Sequence, residues 1–128
     1  MYYSALSLPK YEQTETQFGK TVSVRLTDET LNALPILCKA TNSPTVAAMF
    51  RMLISYEHQL ILDGLRKPED YIPTDNKPKV KVQNIPVSEA EYKILFSIKD
   101  FYQAPTMTGT VNHMLMAALA TLSTKEGE

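Results

Sequence analysis

The sequence predicts a mainly helical fold carrying one short two-stranded antiparallel ribbon, with two copies of a strand-helix-helix unit in a single chain. Three observations carry that expectation. The chain repeats itself at a constant offset: Thr27 and Ser88, Leu34 and Leu95, Pro44 and Pro105, and Leu53 and Met114 are each 61 residues apart, with no gap from helix start to helix end. In each copy a run with the two-residue period of a half-buried strand precedes a helix cap. Each copy spans only about 45 residues, near the size at which a lone core becomes marginal, so each half requires a partner.

Residues 1–19 are polar, contain Pro9 and two glutamates, and show no apolar period; they are expected to form a flexible N-terminal arm. In the first unit, 20–62, Val22, Val24 and Leu26 alternate with Thr21, Ser23 and Arg25, the pattern of a strand with one buried face, and the β-branched residues favour it. Thr27 suits an N-cap, Asp28 and Glu29 suit the positive end of a helix, and Leu31, Leu34 and Leu37 recur at helical spacing. Pro35 falls inside this helix, where it removes a hydrogen bond at a cost of ~3 kcal/mol and is expected to kink or shorten it. Asn42 can close the helix in the left-handed conformation, after which Ser43 is expected to cap the second helix with Pro44 in its first position. Val46, Met49, Phe50, Leu53 and Ile54 form the buried stripe of that second helix.

Residues 63–78 hold three prolines and four acidic residues and read as a linker. In the second unit, 79–122, Ser88 and Glu91 make a capping box, and Tyr92, Leu95 and Ile98 take the apolar places of the matching helix. Pro105 again opens the following helix, whose stripe is Met107, Val111, Met114 and Leu115; Gly109 weakens it by about 1 kcal/mol relative to alanine. Residues 123–128 form a tail.

Composition narrows the function. With 44% apolar residues and no apolar run near the ~20 residues that a membrane helix needs, a globular chain without a membrane span is expected. The start, MYYSALSLPK, lacks the order of a secretory signal. Cys38 is the one cysteine, which leaves no disulfide within the chain and makes a reducing cytoplasm the expected compartment. Net charge is −1, so a nucleic-acid partner must be argued from the distribution of charge: Arg66, Lys67, Lys77, Lys79 and Lys81 gather at or before the second strand. Cys38, His58 and His113 have no metal-ligand spacing, and neither a nucleophile motif nor a phosphate-cradling glycine loop is present. No enzyme, metal or cofactor is therefore expected.

The stretch TVSVRLTDETLNAL, followed by a second capped helix, resembles the ribbon-helix-helix family of DNA-binding proteins, the group of the Arc, MetJ and CopG repressors. The resemblance covers about Lys20 to Glu57 and Lys79 to Leu119; Pro86 interrupts the second strand, and neither copy has the glycine that the family often places between its helices. It implies that the two repeats pair as a tandem ribbon-helix-helix pseudo-dimer, each giving one strand to the ribbon while four helices share a core. The tandem layout is similar to that of relaxosome accessory proteins of conjugative plasmids. The implied function is sequence-specific binding of double-stranded DNA, as a transcriptional repressor or regulator or as a plasmid-processing accessory factor, with further self-association along the DNA.

A two-stranded ribbon fits the major groove. With Val22, Val24 and Leu26 inward, Thr21, Ser23 and Arg25 are the expected base readers, Arg25 able to donate two hydrogen bonds to a guanine. In the second strand the preferred register buries Val80 and Val82 and turns Lys79, Lys81 and Gln83 outward, with a bulge before Ser88; Lys81 and Gln83 are then base readers. The strict 61-residue offset instead exposes Val82, Asn84 and Pro86. Lys20, Lys79 and the helix starts around Ser43, Thr45 and Thr106 are expected to hold phosphates. Ordinary capping accounts equally well for Ser43, Thr45 and Thr106. A protein-interaction module on the same fold, an antitoxin or assembly adaptor, is the alternative.

Overall fold

The computed structural model describes residues 8–10 and 19–126. Its elements run β1 (Lys20–Leu26), α1 (Asp28–Thr41), α2 (Val46–Leu62), a 3-10 turn (Pro68–Asp70), β2 (Lys81–Val87), α3 (Glu89–Tyr102) and α4 (Met107–Glu126). The protein is mainly helical with one two-stranded antiparallel sheet. The second long helix thus runs past the expected end of its unit into the 123–128 tail. Most of the expected arm, 1–7 and 11–18, lies outside the described residues; within 8–10, Leu8 is buried in the core and Lys10 Nζ donates to the Ala40 carbonyl at 2.5 Å.

The helices begin where side chains can take the unsatisfied amides of the first turn. Thr27 Oγ1 accepts from the Thr30 amide at 3.2 Å and Thr30 Oγ1 accepts from the Thr27 amide at 3.0 Å, a capping box built from two threonines. At the matching place in the second unit, Ser88 Oγ accepts from the Glu91 amide at 3.1 Å and Glu91 Oε1 from the Ser88 amide at 2.8 Å. Both first helices end on a left-handed residue, Asn42 (φ 56°) and Gln103 (φ 54°), again 61 positions apart.

Two local expectations are corrected. Pro35 does not shorten α1, which continues to Thr41; the proline lies on the exposed face, where water can serve the carbonyl it leaves unbonded. Ser43 does not cap α2. The cap is Thr45, extended at φ −141°, whose hydroxyl accepts from the Ala48 amide at 3.1 Å, so Pro44 precedes the cap instead of following it. Thr106 does the same for α4 through the Gly109 amide at 2.9 Å. The second copy carried the signal: Ala104 stands at the place of Ser43 and has no side-chain acceptor, whereas threonine follows proline in both copies.

The strands pair with Lys20 opposite Val87, Val22 opposite Ile85, Ser23 opposite Asn84 and Leu26 opposite Lys81. The preferred register for β2 is overturned. Ile85 and Val87 are buried, Val82 is 53% exposed, and pairing runs without a bulge to Val87. The reason is the helix that follows. Val87 abuts the Ser88 cap as Leu26 abuts Thr27, and sealing it in the core puts Ile85 and Gln83 on the same face. Pro86 is tolerated because each strand of a two-stranded ribbon keeps one free edge, where a missing donor removes no ladder bond.

Below the ribbon, Val22, Val24, Leu26, Ile85 and Val87 meet Phe50, Leu53, Ile54, Leu95, Ile98 and Leu115 in one core drawn from both halves. Each such side chain contributes ~1.5–3 kcal/mol by leaving water. The halves also exchange polar contacts at matching positions: Thr30 Oγ1 donates to Asn112 Oδ1 at 2.6 Å, and Arg51 Nε donates to both oxygens of Glu91 at 3.1 and 3.0 Å. Among the described residues, no helix is long and apolar enough to cross a membrane.

Glutamine adopts the left-handed conformation at a cost that glycine avoids. Gln103→Gly, at an exposed site, is therefore expected to stabilise the fold by about 1 kcal/mol. A chemical denaturation midpoint at or below that of the parent chain would contradict this account of the α3 terminus.

Candidate nucleic-acid interface

The outer face of the ribbon consists of Thr21, Ser23 and Arg25 from β1 and Val82, Asn84 and Pro86 from β2, paired Thr21–Pro86, Ser23–Asn84 and Arg25–Val82. In β1 the alternation of buried and exposed residues places the three expected side chains on the solvent side. Their β2 neighbours are those given by the strict repeat offset.

Arg25 is held by its backbone. Its amide donates to Thr108 Oγ1 at 3.4 Å and its carbonyl accepts from Asn112 Nδ2 at 2.9 Å, both from the first turns of α4. The strand is thereby fixed while the guanidinium projects from it, with no partner among the described residues. Ser23 Oγ donates to Asn84 Oδ1 at 2.6 Å across the ribbon.

The remaining expected residues are dispersed. Lys81 is exposed but pairs with Leu26, and Gln83 is half-buried opposite Val24 with its amide 3.4 Å from the Asn84 carbonyl. Neither lies on the face of Arg25. Lys79 is half-buried, its ammonium bound to the carbonyls of Thr74 and Lys77 at 2.9 and 2.8 Å. Lys20 is exposed at the opposite end of the ribbon from Lys81, 5.3 Å above the Tyr92 ring. Ser43 bonds to Thr41 Oγ1 at 2.7 Å within the α1–α2 turn. Thr45 and Thr106 are exposed at the helix starts, and the Thr108 contact sets the start of α4 beside the Arg25 end of the ribbon.

A second polar cluster lies inside the protein. Glu57 is buried on α2; Arg66 Nε donates to its two oxygens at 3.3 Å each, and the Tyr102 hydroxyl donates to Oε2. His113 Nδ1 accepts from the Ile72 amide at 2.9 Å, so the imidazole proton sits on Nε2, facing Glu57 Oε2 at 3.9 Å. The segment 63–78 is pinned by these contacts and by Tyr71, whose ring packs on Tyr102 and His113. Gly109 makes room for it, since a Cβ there would lie 2.6 Å from Tyr71 Oη.

Burial would raise the Glu57 carboxyl, but the facing His113, the Arg66 guanidinium and the Tyr102 hydroxyl outweigh it and hold the group below its ordinary range. Tyr102 is pushed far up, first by burial and then by the negative charge of Glu57. Sequence reasoning missed this cluster. Its trace was Glu57 itself, which continues the Phe50, Leu53, Ile54 stripe of α2 at a buried helical position where a charge demands a partner.

Among the described residues, no group of three or more His, Cys, Asp or Glu side chains is arranged to hold a metal ion. Comparison of the chain with protein-family models, curated proteins and solved structures gave no match.

Proposed function

We propose that the chain is a tandem ribbon-helix-helix protein, its two repeats paired as a pseudo-dimer, that binds double-stranded DNA by laying the outer face of the ribbon in the major groove. It acts without catalysis, in the cytoplasm, as a transcriptional regulator or a plasmid-processing accessory factor. One observation supports this reading above the others: Ser23 and Asn84, which face each other across the ribbon, are separated by the repeat period of 61. A residue paired with its own repeat equivalent marks a two-fold centre, the arrangement by which two like units present one self-complementary surface. Exposed Arg25, the flanking Lys20 and Lys81, and the helix starts at Thr45 and Thr106 would provide the base and phosphate contacts.

The test is fluorescence polarisation with labelled random duplex at 50 and 200 mM salt. Binding is expected to weaken with a slope of ~−0.9 log units per log salt for each phosphate neutralised, and Arg25→Ala should lower it further on a preferred sequence. No binding at either salt would favour the second reading, a protein-interaction module. That reading draws on the net charge of −1 and on Val82, an exposed apolar residue beside Arg25 on the outer face.

A further inference from the structure

We infer that the ribbon reads its DNA from one end, with Arg25 and Val82 together recognising a guanine and a neighbouring thymine, while the opposite end contributes little to sequence choice. The inference rests on the DNA-binding reading above and adds to it the polarity of the site. Arg25 and Val82 are direct cross-strand partners at one end of the outer face; Thr21 and Pro86 are partners at the other. In repeat terms the residue equivalent to Arg25 is Pro86 and the residue equivalent to Thr21 is Val82, each 61 positions on. Two equivalent half-surfaces therefore carry unlike chemistry.

At the first end stands a guanidinium, held on a strand whose amide and carbonyl are both bonded to α4. Its fork of donors matches O6 and N7 of guanine, the commonest specific major-groove contact. Beside it Val82, 53% exposed, offers methyl groups of the kind that meet the thymine C5-methyl. Directly opposite residues on a ribbon stand ~5 Å apart at Cβ, so both fall within one or two base steps of ~3.4 Å. At the other end Pro86 has no donor, and the Thr21 hydroxyl accepts or donates without discrimination. At the centre, Ser23 donates its one proton to Asn84 Oδ1, so that proton is spent within the ribbon.

The test is selection of bound duplexes from a randomised pool by the full chain, by Arg25→Ala and by Val82→Ser, with circular dichroism confirming that all three are folded. The parent chain should select a non-palindromic site whose information lies in one half and includes a G and an adjacent T. On that site Arg25→Ala should bind about 5- to 150-fold more weakly, with a much smaller change on random DNA. Replacing the selected thymine by deoxyuridine, which removes only the methyl group, should weaken the parent chain about 4-fold and leave Val82→Ser unaffected. Salt-dependent binding with palindromic or evenly informative sites would overturn the one-ended readout while leaving DNA binding intact. So would an Arg25→Ala loss that is equal on selected and random DNA. Absence of binding to any duplex would remove both readings together.

Discussion

Glu57→Ala is expected to cost the folded state roughly 3–5 kcal/mol, the range found when one member of a buried ion pair is removed. The reason lies in what remains. Arg66, whose side chain is 8% exposed, keeps its charge and loses its acceptor, and the buried Tyr102 hydroxyl loses the carboxylate to which it donates. For a chain of this size the loss corresponds to a melting temperature lower by roughly 10 °C or more. Replacing the group as a whole, Glu57→Leu with Arg66→Met and Tyr102→Phe, should recover much of the loss, because no charge or hydroxyl is then left unpaired. A single variant as stable as the parent, or a triple variant worse than the single one, would contradict this description of the cluster.

The same cluster gives the stability of the parent chain a defined acid limb. The Glu57 carboxyl is held below its ordinary range in the fold, so the unfolded chain takes up its proton first as pH falls. Its contribution is complete above the unfolded value of ~4.3 and is lost as pH drops through the folded value. The difference in denaturation free energy between parent and Glu57→Ala should therefore be constant near neutrality and shrink below about pH 4. Tyr102, shifted upward, acts with the opposite sign: its contribution is present below the ordinary tyrosine value of ~10 and is lost at more alkaline pH.

Separating the repeats should have the larger effect. Residues 1–78 and 79–128, produced as two chains, are each expected to show no cooperative unfolding transition, a loss of the whole ~5–15 kcal/mol that a domain of ordinary stability possesses. Mixing them should restore the helical circular dichroism signal. Pairing of like halves is opposed by the matched contacts. By the repeat correspondence, two first halves would set Arg51 opposite Thr30 in place of Glu91, and Glu57 opposite Thr41 and Met52 in place of Tyr102 and His113. The first change takes from half-buried Arg51 the Glu91 carboxylate to which it donates, and the second leaves buried Glu57 with Arg66 of its own half but without the Tyr102 hydroxyl. A first half that sediments as a stable homodimer would show these contacts to be dispensable.

What could be read in advance follows from the range of the forces involved. β1, the Thr27 and Ser88 caps and the stripes of α2 and α4 declared themselves because alternation, capping and helical spacing are local, set within a few residues. The phase of β2 was ambiguous because apolar residues occupy both parities, with Val80 and Val82 on one and Ile85 and Val87 on the other, and a proline sits between them. The deciding factor was the junction with α3, where Val87 must be buried to seat the Ser88 cap. Thr21, Ser23 and Arg25 were therefore placed correctly on the outer face, whereas their β2 neighbours followed the repeat offset that the count of exposed lysines argued against. The Glu57 cluster joins residues up to 56 positions apart through the folded path of the 63–78 segment, and local patterning carries no record of such a meeting.

Both strands of the ribbon come from one molecule, so the surface that would face a duplex forms by a unimolecular step. Dilution cannot dissolve it. At a few copies per cell, where a two-chain assembly would fall apart and its occupancy would scale with the square of abundance, occupancy of a duplex by this chain would rise in direct proportion to the number of chains.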